Sequence, residues 1–392
     1  MCAGRGVLCR GWLRCAAGFA TLLDMRDETR AVRYGHQDDM QPGDPLHPSP
    51  VFAATYFAPG DPADSPRNYG RSDNPNWRQL EAAIAALEGG PTIAFASGMA
   101  AAMGVFGPFL RPGDAVVMPT DGYFFCRSLV ETYFAEMGVT VLKAPTADDA
   151  QSALIEEPGV KLLWLESPSN PELTVCDLAA LTKAARAKRI LVAHDNTTAT
   201  AFAQKPLKLG ADFSVASDTK ATSGHSDLVL GHVSCRNQML ADQVRNWRTL
   251  TGAVPGPMET WLALRSMATA TLRIERQSEN AMAIAEFLAG RAEVERVYYP
   301  GLASHPRHEL AAAQMTFFGG VVSFTLRDEK AAERFFTKAK LVTEATSFGG
   351  VTTTAERRAR WGGDDVAPGF IRMSVGCEAV EDLLEDIGQA LG

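Results

Sequence analysis

Short apolar runs alternate with amphipathic stretches along much of the chain. Runs of three or four residues, bounded by polar or turn-forming residues, predict strands at 115–118, 139–142, 162–165, 190–193, 213–216 and 228–230. Between two of these runs, residues 177–188 combine helical apolar spacing with an acidic start and late basic residues, and predict an amphipathic helix. Strands that alternate with helices predict a mostly parallel sheet covered by helices on both faces.

The pattern changes in the last third of the sequence. Residues 261–290 have a long helical pattern, and alternating strand patterns follow at 321–326 and 370–375. A chain of 392 residues exceeds what a single small core needs, so we predict an α/β fold in two packed units. The boundaries that we predict are an irregular N-terminal arm at 25–77, a larger sheet-bearing domain at 78–265, and a smaller α+β domain at 266–392.

Composition narrows the functional classes. The hydrophobic content of 46% is typical of a globular protein, and the net charge of −8 without a basic block argues against a nucleic-acid partner. No apolar run is long enough to span a membrane. The seven cysteines contain no Cys-x-x-Cys pair, which argues against a zinc site and favours a reducing cytoplasm. His305 and His308 resemble a metal-ligand pair but have no third ligand nearby, so no metal centre is predicted.

The first 24 residues differ from the rest of the chain. Three arginines interrupt their apolar stretch, which argues against a secretory signal. An arginine-rich start with few acidic residues is compatible with a transit peptide. We favour the alternative, in which residues 1–24 are a disordered or misassigned extension and the ordered chain begins at Met25.

Polar residues follow three consecutive strand predictions. Asn170, Asp195 and Lys220 come after the runs that end at residues 165, 193 and 216. Ligands of open α/β sheets bind beyond the carboxyl ends of the strands, so these side chains are expected at one rim. A lysine amine can form a Schiff base, and a buried aspartate can keep a pyridinium nitrogen protonated. With Gly98 at a strand-to-helix turn that could admit a phosphate, the set predicts pyridoxal 5'-phosphate (PLP) as the cofactor.

Seven short motifs occur in a fixed order, and together they resemble the Cys/Met-metabolism family of PLP-dependent enzymes. The resemblance extends from about residue 30 to the C-terminus. The motifs are YGRSDNP at 69–75, SGM at 97–99, DGY at 121–123, ESPSNP at 166–171, DNT at 195–197, SDTK with GHSD at 217–227, and FIRMSVGCE at 370–378. The resemblance implies PLP-dependent transferase fold type I, which is aspartate aminotransferase-like. It also implies an amino-acid substrate and a homo-oligomer, usually a tetramer built from dimers with shared active sites.

The resemblance further implies roles for single residues. Lys220 would bind the cofactor aldehyde, Asp195 would pair with the ring nitrogen, and Tyr123 would stack on the ring and move a proton at the leaving group. The other implied cofactor contacts are Gly98, Met99, Asn170, Thr197, Ser217 and Thr219, with Tyr69 and Arg71 reaching the phosphate of a neighbouring subunit. The implied contacts with the substrate carboxylate are Arg372, Ser347 and Asn170.

Two departures from the family pattern affect the predicted reaction. Phe125 stands where methionine γ-lyases have a cysteine, and Thr352 stands where many members have a glutamate that helps select the substrate. The segments at 69–77, 247–253 and 355–363 resemble an actinobacterial-type branch of cystathionine γ-lyases. We therefore predict a carbon–sulfur lyase that acts on L-cystathionine. The alternatives are a cystathionine γ-synthase or O-acylhomoserine sulfhydrylase, a methionine γ-lyase, a cystathionine β-lyase, or a non-catalytic binding protein of the same fold.

Overall fold

The larger sheet forms the centre of the first part of the molecule. The computed structural model describes residues 25–34 and 41–392, so the prediction for residues 1–24 lies outside the described residues. The strands of this sheet are β1 (Thr92–Phe95), β2 (Ala115–Pro119), β3 (Thr140–Ala144), β4 (Val160–Glu166), β5 (Leu191–Asp195), β6 (Phe213–Ala216) and β7 (Gly231–Cys235).

This sheet is mostly parallel, as the sequence predicts. Its strand order is β1-β7-β6-β5-β4-β2-β3, in which β7 runs antiparallel to both of its neighbours and the remaining pairs are parallel. Strands β4, β5 and β6 lie side by side, so the polar residues that follow them meet at one edge. The predicted α/β fold class is confirmed.

Five of the six predicted strands are present with small shifts in their bounds, and the sixth is wrong. Residues 228–230 form no regular secondary structure and lie outside the sheet, and the strand begins one residue later as β7. The reason is that the backbone of Leu230 is engaged by Thr219: the Thr219 N–H donates to the Leu230 carbonyl, and the Leu230 N–H donates to the Thr219 hydroxyl. Leu228 and Leu230 are buried while Val229 is exposed, and Leu230 anchors the turn that carries Lys220 through its contacts with Thr219.

Helices cover the larger sheet and lead into the second unit. They are α1 (Asp27–Arg33), α2 (Pro75–Glu88), α3 (Gly98–Phe109), α4 (Phe124–Leu129), α5 (Gln151–Leu154), α6 (Leu178–Ala187), α7 (Thr200–Ala203), α8 (Gln238–Thr251), α9 (Pro257–Met267) and α10 (Ala270–Ala289). Helix α6 is the predicted amphipathic helix, and the side chain of Asp177 caps it by accepting from the N–H of Ala180. The helical pattern predicted at 261–290 is divided between α9 and α10.

A smaller sheet forms the second unit. Its strands are β8 (Val294–Tyr298), β9 (Val321–Leu326), β10 (Thr343–Glu344), β11 (Thr354–Arg357) and β12 (Phe370–Ser374), in the order β10-β11-β12-β9-β8. Its helices are α11 (His308–Gln314), α12 (Glu329–Lys338) and α13 (Val380–Leu391). The predicted domain boundaries stay a prediction. Within residues 25–34 and 41–392, no helix combines the length and apolar character that crossing a bilayer requires.

Candidate active site

A cavity of about 510 Å³ lies at the carboxyl ends of β4, β5 and β6. It is lined by residues of the larger sheet's loops and by residues of the smaller unit. Of the residues predicted for the site, those that line it are Gly98, Met99, Tyr123, Asn170, Asp195, Thr197, Ser217, Thr219, Lys220, Ser347 and Arg372. The structure therefore brings together every predicted cofactor or substrate contact except Tyr69 and Arg71.

Lys220 extends into this cavity from the turn after β6. Its Nζ donates to Ser347 Oγ at 2.6 Å and lies 5.2 Å from the centre of the Phe348 ring. Burial and the nearby Arg372 guanidinium lower the pKa of the Lys220 ammonium to about 8, while Glu356 and Asp195 act in the opposite direction. The amine thus loses its proton far more readily than a solvent-exposed lysine.

Ser347 holds an unusual backbone conformation. Its φ of 80° lies in the left-handed region, which costs about 1 kcal/mol or more for a residue with a Cβ. In this conformation Ser347 makes two contacts with the site. Its hydroxyl accepts from the Lys220 amine, and its carbonyl accepts from the Arg372 guanidinium at 3.0 Å. Ser347 therefore connects the lysine of the larger unit with the arginine of the smaller one.

Two carboxyl groups lie side by side at the edge of the sheet. Asp195 ends β5 and is paired in register with Glu166 at the end of β4. The Asp195 carboxylate accepts from the Thr197 N–H at 3.0 Å, and Glu166 accepts from the N–H groups of Tyr123 at 2.6 Å and Asn170 at 2.9 Å. Burial raises the pKa of both carboxyl groups, and their proximity adds to the effect at Glu166.

Glu166 was not predicted as a site residue. The available signal was its place as the first polar residue after an apolar strand, directly before the predicted Asn170 loop. Two buried carboxyl groups at one strand edge favour a cation between or beside them. A pyridinium nitrogen supplies such a charge, so this pair fits the ring of PLP.

The first turn of helix α3 fits a phosphate. Ser97 caps this helix, its hydroxyl accepting from the Ala100 N–H at 3.0 Å, and the remaining N–H groups of the first turn have no partner within the helix. Gly98 packs so closely on Ser217 that a Cβ would lie 2.6 Å from the Ser217 Cβ. Only glycine permits this approach, which brings the helix start and the lysine-bearing turn to one side of the cavity.

The hydroxyl groups beside this turn are already oriented by backbone contacts. Thr197 Oγ1 accepts from the Ser217 N–H at 2.8 Å, which links the Asp195 loop to the lysine-bearing turn. The Thr219 hydroxyl donates to the Leu230 carbonyl at 3.2 Å and accepts from its N–H. The residues of this cavity therefore fit PLP, while the individual phosphate contacts remain predictions.

Arg372 is almost completely buried, with 3% of its side chain exposed. Its Nη1 donates to Asn170 Oδ1 at 2.7 Å, and its Nη2 donates to the Ser347 carbonyl and forms an ion pair with Glu356. Burial lowers the pKa of the Arg372 guanidinium to about 10, and Glu356 opposes the change. Its Nε has no hydrogen-bond partner in the described part of the chain, so a donor remains for a substrate carboxylate.

Glu356 is a second residue that sequence reasoning missed. It stands on β11 directly across from Arg372 on β12. Its carboxylate also accepts from Arg358 at 2.8 Å and from the indole N–H of Trp361 at 2.8 Å. The pairing depends on strand register, which the separate motifs of the sequence do not reveal.

Tyr69 and Arg71 lie away from the cavity of their own chain. Tyr69 is 47% exposed, and the Arg71 guanidinium lies 5.7 Å from the Tyr69 ring while donating to the Thr249 carbonyl at 2.8 Å. Their contact with a neighbouring subunit stays a prediction. Among the residues that the structure describes, no cluster of His, Cys, Asp or Glu side chains suits a metal ion.

Comparison with known proteins agrees with this geometry. The family model described as Cys/Met metabolism PLP-dependent enzyme matches residues 28–392. A Streptomyces coelicolor protein named "Putative cystathionine gamma-lyase" is 50% identical over 370 residues, covering 93% of each chain. Cystathionine gamma-synthase of Mycobacterium tuberculosis is 40% identical over 377 residues, covering 93% of this chain and 96% of its own. The crystal structure of metB from Corynebacterium glutamicum superposes with a TM-score of 0.91 at 34% identity, covering 94% of this chain and 98% of that one.

Proposed function

This chain belongs to the Cys/Met metabolism family of PLP-dependent enzymes, and from that premise we propose that it cleaves L-cystathionine by γ-elimination. The proposed overall reaction consumes one water and releases cysteine, 2-oxobutyrate and ammonia. The observation that carries the proposal is the Lys220 amine, whose pKa is lowered to about 8 in a cavity shared with the buried, partly unpaired Arg372. A base and a carboxylate receptor in one cavity suit proton removal from the Cα of an amino acid.

Each residue of the cavity has a task in this proposal. Arg372, held by Asn170 and Ser347, binds the substrate α-carboxylate through its remaining N–H donors. Bound PLP would supply the electron sink that stabilises negative charge at Cα. Asp195 would keep the cofactor ring nitrogen protonated, and Lys220 in its neutral form accepts the Cα proton. After passing that proton on, Lys220 can accept a Cβ proton as well, and the electrons of that Cβ–H bond then expel the γ-substituent.

Tyr123 is the proposed proton donor to the departing sulfur. It lines the cavity at the start of α4, and its backbone is fixed by the hydrogen bond to Glu166. Burial raises the pKa of the Tyr123 hydroxyl above its ordinary value, so the group is protonated at neutral pH. A protonated phenol can donate to a thiolate leaving group, which elimination from Cγ requires.

We further propose that a second copy of the chain completes the cavity. The exposure of Tyr69 and the position of Arg71 outside their own cavity support a role at the phosphate of a partner. In this proposal the enzyme is a homo-oligomer with shared active sites.

A γ-replacement reaction is the second candidate. The observation that favours it is the 40% identity with a cystathionine gamma-synthase over 93% of this chain. Elimination and replacement share the steps up to loss of the γ-substituent and differ in whether water or a thiol completes the reaction. The 50% identity with a protein named for γ-lyase activity is the reason for preferring elimination.

Incubation of the purified holoenzyme with L-cystathionine alone tests the proposal. Cysteine with 2-oxobutyrate is the expected product pair, whereas homocysteine with pyruvate would mean β-elimination. If L-cystathionine is inert and turnover needs an O-acylated homoserine with cysteine, the enzyme is a γ-synthase. The Lys220→Ala variant is the matched control, and it should give none of these products. A wild-type protein that turns over none of these substrates would refute an enzymatic function in this pathway.

A further inference from the structure

The segment that follows β11 supplies a second guanidinium to the active-site cavity. Arg358, Trp361 and Gly363 line the cavity together with Lys220 and Arg372, although the sequence predicted no role for these three residues. The amino-acid part of a substrate needs only one arginine for its α-carboxylate. The task of Arg358 is therefore open.

The Arg358 guanidinium is held by hydrogen bonds to two carboxylates, yet not all of its N–H donors have partners. Its Nε and Nη2 both donate to Asp364 Oδ2, at 2.9 and 2.6 Å, and its Nη1 donates to Glu356 Oε1 at 2.8 Å. These three bonds leave two of the five N–H donors of an arginine without a partner in the described ranges. With 11% of its side chain exposed, Arg358 is a fixed donor group at the cavity wall.

Guanidiniums outnumber carboxylates in the ion-pair cluster that contains Arg358. The carboxylates of this cluster belong to Glu356 and Asp364. Its guanidiniums belong to Arg127, Arg358 and Arg372, whose side chains are 17%, 11% and 3% exposed. Arg360 also reaches Glu356 at 3.5 Å, but it has its own partner, Glu344, at 2.7 Å. Within this cluster three guanidiniums share two carboxylates, which favours an anionic ligand at Arg358. The other carboxyl groups of the cavity lining, Glu166 and Asp195, lie at the ends of β4 and β5.

Arg358 lies on the side of the cavity where Tyr123 begins helix α4. Arg127 connects the two segments by donating to the carbonyls of Gly122 and Gly363, both at 2.9 Å. The Phe124 ring packs so tightly on Gly363 that a Cβ there would lie 2.8 Å from it. Because Tyr123 is the proposed donor to the leaving group, Arg358 is placed to meet that part of the substrate.

We propose that Arg358 binds a carboxylate carried by the leaving group and so determines the substrate class. The preferred substrates are amino acids whose γ-substituent itself ends in a carboxylate, which includes the distal half of L-cystathionine and excludes a methylthio or acetyl group. Arg372 binds the α-carboxylate and Arg358 binds the distal one, with Glu356 Oε1 accepting from both guanidiniums. This inference rests on the proposed γ-chemistry but not on whether water or a thiol completes it.

Two esters that share the reacting bond test the inference. O-succinyl-L-homoserine and O-acetyl-L-homoserine both break a Cγ–O bond and differ in the distal carboxylate. The wild-type holoenzyme should prefer the succinyl ester in kcat/KM. The Arg358→Gln variant should lower that preference by roughly 10- to 100-fold, because hydrogen bonds to a charged group contribute about that much to binding. The change should appear in KM rather than in kcat.

Matched variants and a binding measurement complete the test. Arg358→Lys keeps the positive charge and should recover part of the preference for the succinyl ester. Arg357→Gln is the matched control, since Arg357 pairs with Glu329 outside the cavity, and it should leave that preference unchanged. With the holoenzyme, L-cystathionine should compete less well against turnover of the acetyl ester after Arg358→Gln, whereas competition by L-homoserine should stay as in the wild type. Turnover of the acetyl ester reports that each variant is folded.

The outcomes separate this inference from the proposed lyase activity. If both esters lose activity equally in Arg358→Gln, or the preference stays as in the wild type, the role of Arg358 is refuted. If L-cystathionine is inert with the wild type but the succinyl ester shows the expected loss in the variant, the lyase proposal fails and Arg358 keeps its role.

Discussion

The pH dependence of cofactor capture is a direct consequence of the environment of Lys220. Only a neutral amine can attack the aldehyde of PLP, so the rate at which PLP-free protein takes up the cofactor follows the neutral fraction of Lys220. The pKa of about 8 follows from burial and from the charge of Arg372. At pH 7 that pKa leaves about one amine in ten neutral, against roughly one in 3,000 for an unperturbed lysine. The expected rate advantage from protonation alone is therefore about 300-fold.

Stopped-flow mixing of PLP with the PLP-free protein across pH 6 to 10 measures this rate. Dividing by the rate of PLP with Nα-acetyl-lysine amide, corrected to the neutral amine, removes the titration of PLP itself. Because the pKa is lowered, the normalised rate should rise with pH and level off above about pH 8. A rate that continues to rise in proportion to hydroxide up to pH 10 would show an ordinary lysine and refute the reasoning. Replacing Arg372 with Met should shift the midpoint to higher pH, since its charge lowers the pKa.

Further predictions concern binding and stability. Arg372→Lys should raise KM for the amino-acid substrate by roughly 10-fold or more while PLP content, measured by absorbance, stays at the wild-type level; equal loss of both would contradict a substrate role. His232 is buried with Nδ1 2.9 Å from Asp218 and Nε2 3.4 Å from Glu88, so His232→Leu should lower the free energy of unfolding by about 3–5 kcal/mol in urea titrations. Phe106→Ala removes a ring whose centre lies 4.5 Å from that of Trp164, and it should lower the free energy of unfolding by about 3–5 kcal/mol in the same assay. A decrease below about 1 kcal/mol in either variant would contradict the contacts described for that residue.

The parts that the sequence predicts well are those with strong local signals. Helix α6 follows from its cap and apolar spacing, and strands β2, β4, β5 and β6 follow from short apolar runs. Lys220 and Asp195 were identifiable because Asp195 stands at the end of one buried strand and Lys220 lies in the turn after the next, and parallel strands bring such positions to one edge. In these cases the local pattern and the tertiary position agree.

The parts that the sequence does not predict depend on contacts between distant segments. Glu356 acquires its role because β11 and β12 pair in the register that sets it across from Arg372. Arg358 enters the cavity because Asp364 and Arg127 fix the loop that follows β11. The run at 228–230 was taken for a strand because its apolar pattern is the same whether the backbone pairs with a sheet neighbour or with Thr219.

The most direct test of the account is to locate the lysine that binds PLP. Reduction of the yellow holoenzyme with borohydride fixes the cofactor to its lysine, and proteolysis with mass spectrometry identifies the labelled peptide. The account predicts the label on the peptide that contains Lys220, and no label in the Lys220→Ala variant treated in the same way. A label on any other lysine, or a Lys220→Ala variant that retains the reduced cofactor, would contradict it.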